Sequence, residues 1–328
     1  MTDTFLIRCD ANKKNGFRHF SRCLNIARGI KHKLPKATIV FLGDYNNVAA
    51  QLIGKYKMLK QEHFDSIDDE MNFTRDFDNF ILDNYFIDQD YIDRYCTESM
   101  KFIKIDDFND LNLKNVEVVV NFCLRGNSFN YGSKTKCLGL KYFPVREEFK
   151  KIRLKNISQF KNRVDNILVF LGAADQHNSS HTMVKLLDKV LNNVTISLIS
   201  AHEESPIHSS FNNNKIKYLP LSPFMEKYFE KSDVVITGGG LTKYECAYNC
   251  IPNASLTQTI EQDEEVKTFS EAGLTYYLGM AESLDFKQEE VIKKLHEFFS
   301  KKIRRSLFDK GKYHFSTEST QRLVNSIL

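Results

Sequence analysis

Three consecutive glycines, Gly238, Gly239 and Gly240, are the clearest residues in this sequence whose type and spacing could do chemistry. They follow Val234, Val235 and Ile236, a β-branched run of the kind buried on both faces of a sheet. Residues 242–249 can continue as a helix. Strand, glycines and helix in that order can cradle a phosphate. Glycine lets backbone N–H groups approach closely, and a helix N-terminus offers unpaired donors and partial positive charge. Glu245 falls one turn into that helix, where a carboxylate could hold the hydroxyls of a ribose. The same pattern also suits a tight turn with no ligand, since one glycine-rich turn is a weak signal. Elsewhere, polar residues recur just past predicted strand ends: Asp83-Asn84-Tyr85, Asp106-Asp107 and Asn121. A single Asp there is usually a cap or a turn former, whereas several converging on one edge are what a crevice needs.

The elements that must position these residues read as two successive α/β halves. Residues 4–9 form a strand, 10–18 a polar loop holding Gly16, and 19–33 a helix with Phe20, Cys23, Leu24, Ala27 and Ile30 on one face. Residues 37–42 form the next strand. This is a βαβ unit, which builds parallel sheets whose ligands bind beyond the carboxyl ends of the strands. Further strands are predicted at 80–82, 101–105, 116–120, 167–171, 194–199, 216–219, 234–236 and 254–257. Helices are predicted at 183–191, from about 263, at 284–302 and at 316–328. Residues 147–166 read as a polar, Lys-rich connection. The expected architecture is α/β, two Rossmann-like doubly wound domains at 1–148 and 149–328 facing across a cleft. The last helix is free to pack back on the first domain.

Composition narrows the function classes. Hydrophobic content of 42% and charged content of 27% suit a globular protein with a substantial core. A net charge of +4, from 46 basic and 42 acidic residues, is too mild to argue for nucleic acid or a membrane surface. The seven cysteines contain no CxxC and read as reduced thiols. No apolar run approaches the roughly 20 residues that span a bilayer. Residues 5–7 are cut short by Arg8 and Asp10, so no signal-peptide core forms. A cytoplasmic protein is expected.

Taken together, several segments carry a resemblance. These are IRCDANKKNGFRHFSRCLNIA (7–27), LDNY (82–85), IDDF (105–108), VVNF (119–122), LGLKYFPVREEF (138–149), LGAAD (171–175), TGGGLTKYE (237–245) and EQ (261–262). In order and spacing the chain resembles the UDP-2,4-diacetamido-2,4,6-trideoxy-β-L-altropyranose hydrolases of pseudaminic acid biosynthesis. That family is related to the GT-B glycosyltransferases, including the one that adds N-acetylglucosamine to the lipid-linked peptidoglycan precursor.

The resemblance implies a GT-B-like fold and a role for each matching position. His19 is implied as the catalytic base, since an imidazole with a pKa near about 6.5 can take a proton from water at neutral pH. On the residues alone, the favoured reading of His19 is a helix N-terminal or N-cap neighbour that packs, and the resemblance makes the catalytic reading the better one. Tyr85 is implied as a donor to the sugar or the leaving oxygen, a buried core tyrosine being the other reading. Asn12, Gly16, Arg18, Arg22 and Gln262 are implied substrate contacts. The backbone of Gly239, Gly240, Leu241 and Thr242 matches the diphosphate cradle, Glu245 the ribose ligand, and the turn near Leu221 the uracil edge. No Asp-x-Asp motif stands at a strand end, and in the GT-B plan helix dipoles neutralise the leaving diphosphate, so no metal or cofactor is expected.

Three departures stand out. Arg18 replaces a glycine, Ala173-Ala174 replace Gly-Ser, and Glu261 replaces an asparagine, so a charged acceptor stands where a neutral donor–acceptor would. Glu261 is therefore either a contact altering which acetamido pattern is recognised, a base itself, or a partner of Arg18. The expected function is a nucleotide-sugar hydrolase that uses water to release UDP and a free acetamido-deoxy sugar for nonulosonic acid or surface polysaccharide synthesis. An inverting glycosyltransferase and a non-catalytic nucleotide-sugar binding protein are the alternatives. The expected partner is a UDP-sugar.

Overall fold

The computed structural model describes residues 3–12, 16–172, 175, 177–199, 213–222, 224–285 and 287–328. The chain divides into two compact units, Met1–Arg146 with Glu318–Leu328, and Glu147–Thr317.

The first unit runs β1 (Thr4–Arg8), α1 (Arg18–Lys33), β2 (Thr38–Leu42), α2 (Asn47–Lys55), β3 (Leu59–Gln61), α3 (Ile67–Thr74), β4 (Asn79–Leu82), α4 (Gln89–Tyr95), β5 (Lys101–Ile105), β6 (Val118–Asn121) and β7 (Thr135–Leu138). The strands form one parallel sheet in the order β3-β2-β1-β4-β5-β6-β7. Every residue of β4 and β6 is buried, as expected when helices cover both faces. α1 buries Phe20, Cys23, Leu24, Ala27 and Ile30, the face its spacing predicts. α2, α3 and α4 begin at side-chain caps, Asn46, Ser66 and Asp88, each accepting from a first-turn amide.

The second unit runs α5 (Glu147–Asn156), β8 (Asn166–Phe170), α6 (Ser179–Val190), β9 (Thr195–Ile199), β10 (Lys215–Leu219), α7 (Glu226–Phe229), β11 (Val234–Thr237), α8 (Thr242–Tyr248), β12 (Asn253–Thr257), α9 (Ile260–Glu271), β13 (Tyr276–Met280), α10 (Gln288–Phe299) and α11 (Lys301–His314). Its sheet is again parallel, in the order β10-β9-β8-β11-β12-β13. The last helix, α12 (Ser319–Ile327), belongs to the first unit. It lies so close to α1 that a Cβ on Gly29 would meet Val324 at 2.9 Å and Thr320 at 3.0 Å. Among the described residues no helix is long and apolar enough to cross a membrane.

Two expectations need correcting. Residues 147–156 are a helix, not part of a polar connection, because Phe149, Ile152 and Arg153 fall at i, i+3 and i+4 and are buried. The Arg153 guanidinium donates to the carbonyls of Tyr248, Gly311 (3.3 Å), Lys312 (3.1 Å) and Phe315 (2.5 Å), near the C-termini of α8 and α11. The predicted helix at 284–302 is broken near Ser300, whose hydroxyl accepts from the Ile303 amide at 3.3 Å and caps α11.

In both sheets the order of the strands reverses at one point, between β1 and β4 in the first unit and between β8 and β11 in the second. Open α/β sheets bind their ligands beyond the strand ends at this switch point.

Candidate functional site

In the first unit, α1, β4 and β5 bring four predicted residues onto two carboxylates. The first turns of α1 carry Arg18, His19, Arg22 and Cys23. Asp83 is the first residue past β4, and Asp107 the second past β5. His19 Nδ1 lies 2.7 Å from Asp83 Oδ1. Arg22 donates to Asp83 through Nε and Nη2, both at 2.5 Å, and to both oxygens of Asp107 through Nη1, at 3.0 and 2.8 Å. Asp107 also accepts from Arg18 at 3.3 Å and from the Tyr85 hydroxyl. The thiols of Cys23 and Cys123 approach Asp83 and Asp107 at 3.5 and 3.4 Å. The His19 and Tyr85 rings meet edge to face with centroids 4.2 Å apart.

The charges in this cluster follow from its packing. Burial pushes the Asp83 carboxyl up, but the Arg22 guanidinium and then His19 outweigh it and hold it well below the usual carboxylate range. Asp107 is likewise held low against burial by Arg22 and then Arg18. Burial pushes the Tyr85 phenol up against the pull of Arg18, so it stays protonated and donates to Asp107. Beneath them lies Lys104 of β5, whose ammonium donates to the carbonyls of Ile105 (2.7 Å) and Asn84 (3.3 Å). Burial lowers its pKa against the opposing charges of Asp83 and Asp106.

An ionised carboxylate only accepts hydrogen bonds. The 2.7 Å contact therefore requires the His19 proton on Nδ1. In the neutral imidazole Nε2 then carries the lone pair, which is the arrangement of a general base oriented by an acid. No described residue donates to that nitrogen.

At the end of β1, Asp10 accepts from Arg8 (2.8 Å), the Asp44 amide (3.0 Å) and Asn84 (3.1 Å). Asn12 donates to Asp44 at 2.9 Å, and the Gly16 amide to the Asn12 carbonyl at 2.9 Å. Among the described residues, neither Asn12 nor Gly16 hydrogen-bonds to His19 or Asp83.

In the second unit, Gly238, Gly239 and Gly240 join β11 to α8. A Cβ on Gly238 would lie 2.3 Å from the Leu171 carbonyl at the end of β8. One on Gly239 would meet Gln262 Cβ at 2.6 Å and Oε1 at 2.7 Å. One on Gly240 would meet nothing within 4 Å, and its φ is not left-handed. The fold itself therefore needs the first two glycines and leaves space at the third. Glu245 is buried one turn into α8. Asp175, past β8, accepts from the amides of Ser179 and Ser180, each at 3.1 Å, and so closes the start of α6.

The remaining predicted residues are more dispersed. Leu221 is exposed beyond β10, three strand spacings or about 14 Å from β11. Gln262 packs on Gly239 and accepts from the Gln258 amide at 3.2 Å, while its own amide donates to Thr259, the cap of α9. Glu261 stands exposed on the first turn of α9, its pKa lowered by hydrogen bonds from Thr259 and its own amide. Ala173 and Ala174 lie outside the described residues. A cavity of about 310 Å³ opens beside the edge strand β13, but no predicted residue lines it, and its Lys267 and Lys294 are paired with Asp263 and Glu290. Among the described residues, no group of three or more His, Cys, Asp or Glu side chains is placed to hold a metal ion.

Sequence reasoning noted Asp83 and Asp107 only as strand-end residues and gave Lys104 and Lys243 no role. A charged residue within the apolar run FIKI, or three positions past the last of three glycines, was the available signal.

Comparison with known proteins agrees with this architecture. MurG of Acinetobacter baumannii superposes with a TM-score of 0.69 at 13% identity, covering 100% of this chain and 99% of that one. The UDP-bound MnaA of S. aureus gives 0.64 at 9% identity, covering 99% and 96%. A putative UDP-N-acetylglucosamine 2-epimerase from Listeria monocytogenes gives 0.63 at 10% identity, covering 100% and 96%. The fold is GT-B-like. In sequence, the chain is 24% identical over 274 residues to an uncharacterized protein of Methanocaldococcus jannaschii, covering 78% of this chain. The chain spans about half the length of that relative, 56%. No protein-family model matches.

Proposed function

We propose that the protein is a nucleotide-sugar hydrolase. His19 Nε2 takes a proton from water, and the oxygen attacks the anomeric carbon. The bond from that carbon to the nucleotide oxygen breaks, giving UDP and a free sugar. Asp83 orients the imidazole and stabilises the imidazolium that forms. In this reading the glycine turn of the second unit holds the diphosphate, Glu245 meets the ribose, and the backbone near Leu221 meets the base. The fold's likeness to UDP-sugar enzymes supports the substrate class, and the sequence resemblance supports an acetamido-deoxy sugar.

The observation that carries the reading is the 2.7 Å contact between His19 Nδ1 and an ionised Asp83, which leaves a basic nitrogen at the switch point of the first sheet. Tyr85 enters differently from its expected role. Its proton is engaged by Asp107, so it offers the substrate its oxygen lone pairs and ring rather than a donor.

A second reading, an inverting glycosyltransferase, is favoured by one feature. Phe86 and Phe108 stand 65% and 50% exposed beside Tyr85, an apolar rim suited to an acceptor. Incubation with a panel of UDP-sugars alone, followed by mass spectrometry, separates the two. Stoichiometric UDP and free sugar are expected. No turnover without an added acceptor would favour the transferase.

A further inference from the structure

Lys243 follows the glycine turn and is completely buried. Its ammonium donates to the Gly239 carbonyl at 2.6 Å and the Gly240 carbonyl at 3.3 Å, and pairs with Glu265 at 3.1 Å. Glu265 is itself held by the Tyr244 hydroxyl. The preceding carbonyl, of Gly238, accepts from the Thr237 hydroxyl at 3.3 Å. Three successive carbonyls of the turn are thus engaged from the protein side.

The described residues contain no cis peptide. In a trans peptide the C=O and the following N–H point in opposite directions. Fixing the carbonyls of Gly238, Gly239 and Gly240 therefore turns the amides of Gly239, Gly240 and Leu241 the other way. Those amides donate to no other described residue. Gly240 also has open space where a Cβ would stand. Oriented donors, open space and a nearby buried cation suit an anion with several oxygens.

We infer that Lys243 is a positioning residue: it locks two peptide planes of the turn, as Thr237 locks the one before them, so that three amides before α8 present themselves to the diphosphate of the nucleotide. The inference rests on the nucleotide-sugar reading. Glu265 and Tyr244 hold the ammonium in place, and Lys243 itself does not touch the ligand.

Titration calorimetry of UDP and of uridine, on the wild type and on Lys243→Met, tests this. The variant, folded by circular dichroism, is expected to lose about 10- to 100-fold in UDP affinity while binding uridine as the wild type does. Equal losses for both ligands would mark a merely structural lysine and overturn the inference, as would unchanged UDP affinity. Where Lys243→Met does not fold, hydrogen exchange on the wild type decides. Amides 239–241 should exchange readily and slow when UDP is added, and no protection in a protein that binds UDP would overturn the inference. A wild type that binds no UDP removes the nucleotide reading and this inference together. A loss confined to the variant leaves the reading standing.

Discussion

An alanine placed in turn at each of the three glycines separates what the fold needs from what a ligand needs. At Gly240 the new methyl meets nothing within 4 Å and the backbone is not left-handed. Removing a glycine's freedom from the unfolded chain then stabilises by about 0.4–1 kcal/mol. In a unit of this size that raises Tm by about 1–4 °C. The same methyl fills the space where the diphosphate is proposed to sit and screens an amide donor. Hydrogen bonds to charged groups are worth about 1.5–3 kcal/mol, so UDP affinity should fall about 10- to 100-fold. Gly238→Ala behaves in the opposite way. Its methyl would lie 2.3 Å from a backbone oxygen of Leu171, which cannot swing aside. Overpacking of that kind costs about 1–3 kcal/mol, lowering Tm by about 2–12 °C. Gly239→Ala should also destabilise, because Gln262 Oε1 can swing away but Gln262 Cβ, 2.6 Å from the new methyl, is fixed to α9. Thermal unfolding without ligand and UDP titration calorimetry read the two effects separately. A Gly240→Ala protein with raised Tm and native UDP affinity would refute the phosphate cradle. A lowered Tm would refute the packing argument.

Other perturbations address the first unit. His19→Ala should abolish turnover while UDP affinity is kept, and Asp83→Asn should lower kcat by about 10²- to 10⁴-fold; unchanged turnover in either variant defeats the mechanism. Tyr85→Phe should keep kcat within about tenfold, since its proton already serves Asp107; a loss as large as that of His19→Ala would show that Tyr85 donates to the substrate. Arg22→Met leaves two buried carboxylates without their main partner and should cost about 3–5 kcal/mol at pH 7 by urea unfolding. Because Asp83 and Asp107 are held below their unfolded values, their contribution is fully present above about pH 4 and fades as pH falls below it. The penalty of Arg22→Met should therefore shrink at pH 3.5, and a constant penalty would contradict the assigned charges.

The two parallel sheets were legible because their central strands are continuous apolar runs, as at Ile39–Phe41 and 234–236, a pattern that few other structures produce. Short or polar elements were not. β13 reads YYLGM with a glycine inside it, and α5 has only Phe149 and Ile152 to mark its inner face among seven polar residues and an exposed Leu154. The site divides in the same way. Residues next to the turns could be named because loop, strand end and helix start are adjacent in sequence. What joins them could not, because His19 meets Asp83 across 64 positions and Arg22 meets Asp107 across 85. Those meetings follow from β1, β4 and β5 being neighbours in the sheet, and no local pattern encodes that order.

The proposed base depends on an anion that burial alone would neutralise. Asp83 is fully buried, and desolvation pushes it toward the protonated form, which could donate to His19 instead of accepting from it. Arg22 reverses that balance, and its second carboxylate, Asp107, with Arg18 beside it, brings the group to two acids and two guanidinium ions. A charge-balanced array of this kind fixes the Asp83 charge and the tautomer of His19 without adding a net field against the imidazolium. Hydrolase and transferase need this same base in the same state. Under either reading the difference lies in what reaches Nε2, and among the described residues of the first unit the exposed rings of Phe86 and Phe108 stand beside Tyr85, whose proton is already held. The choice between the two proposed reactions is therefore a question about the rim, since both would use the same dyad beneath it.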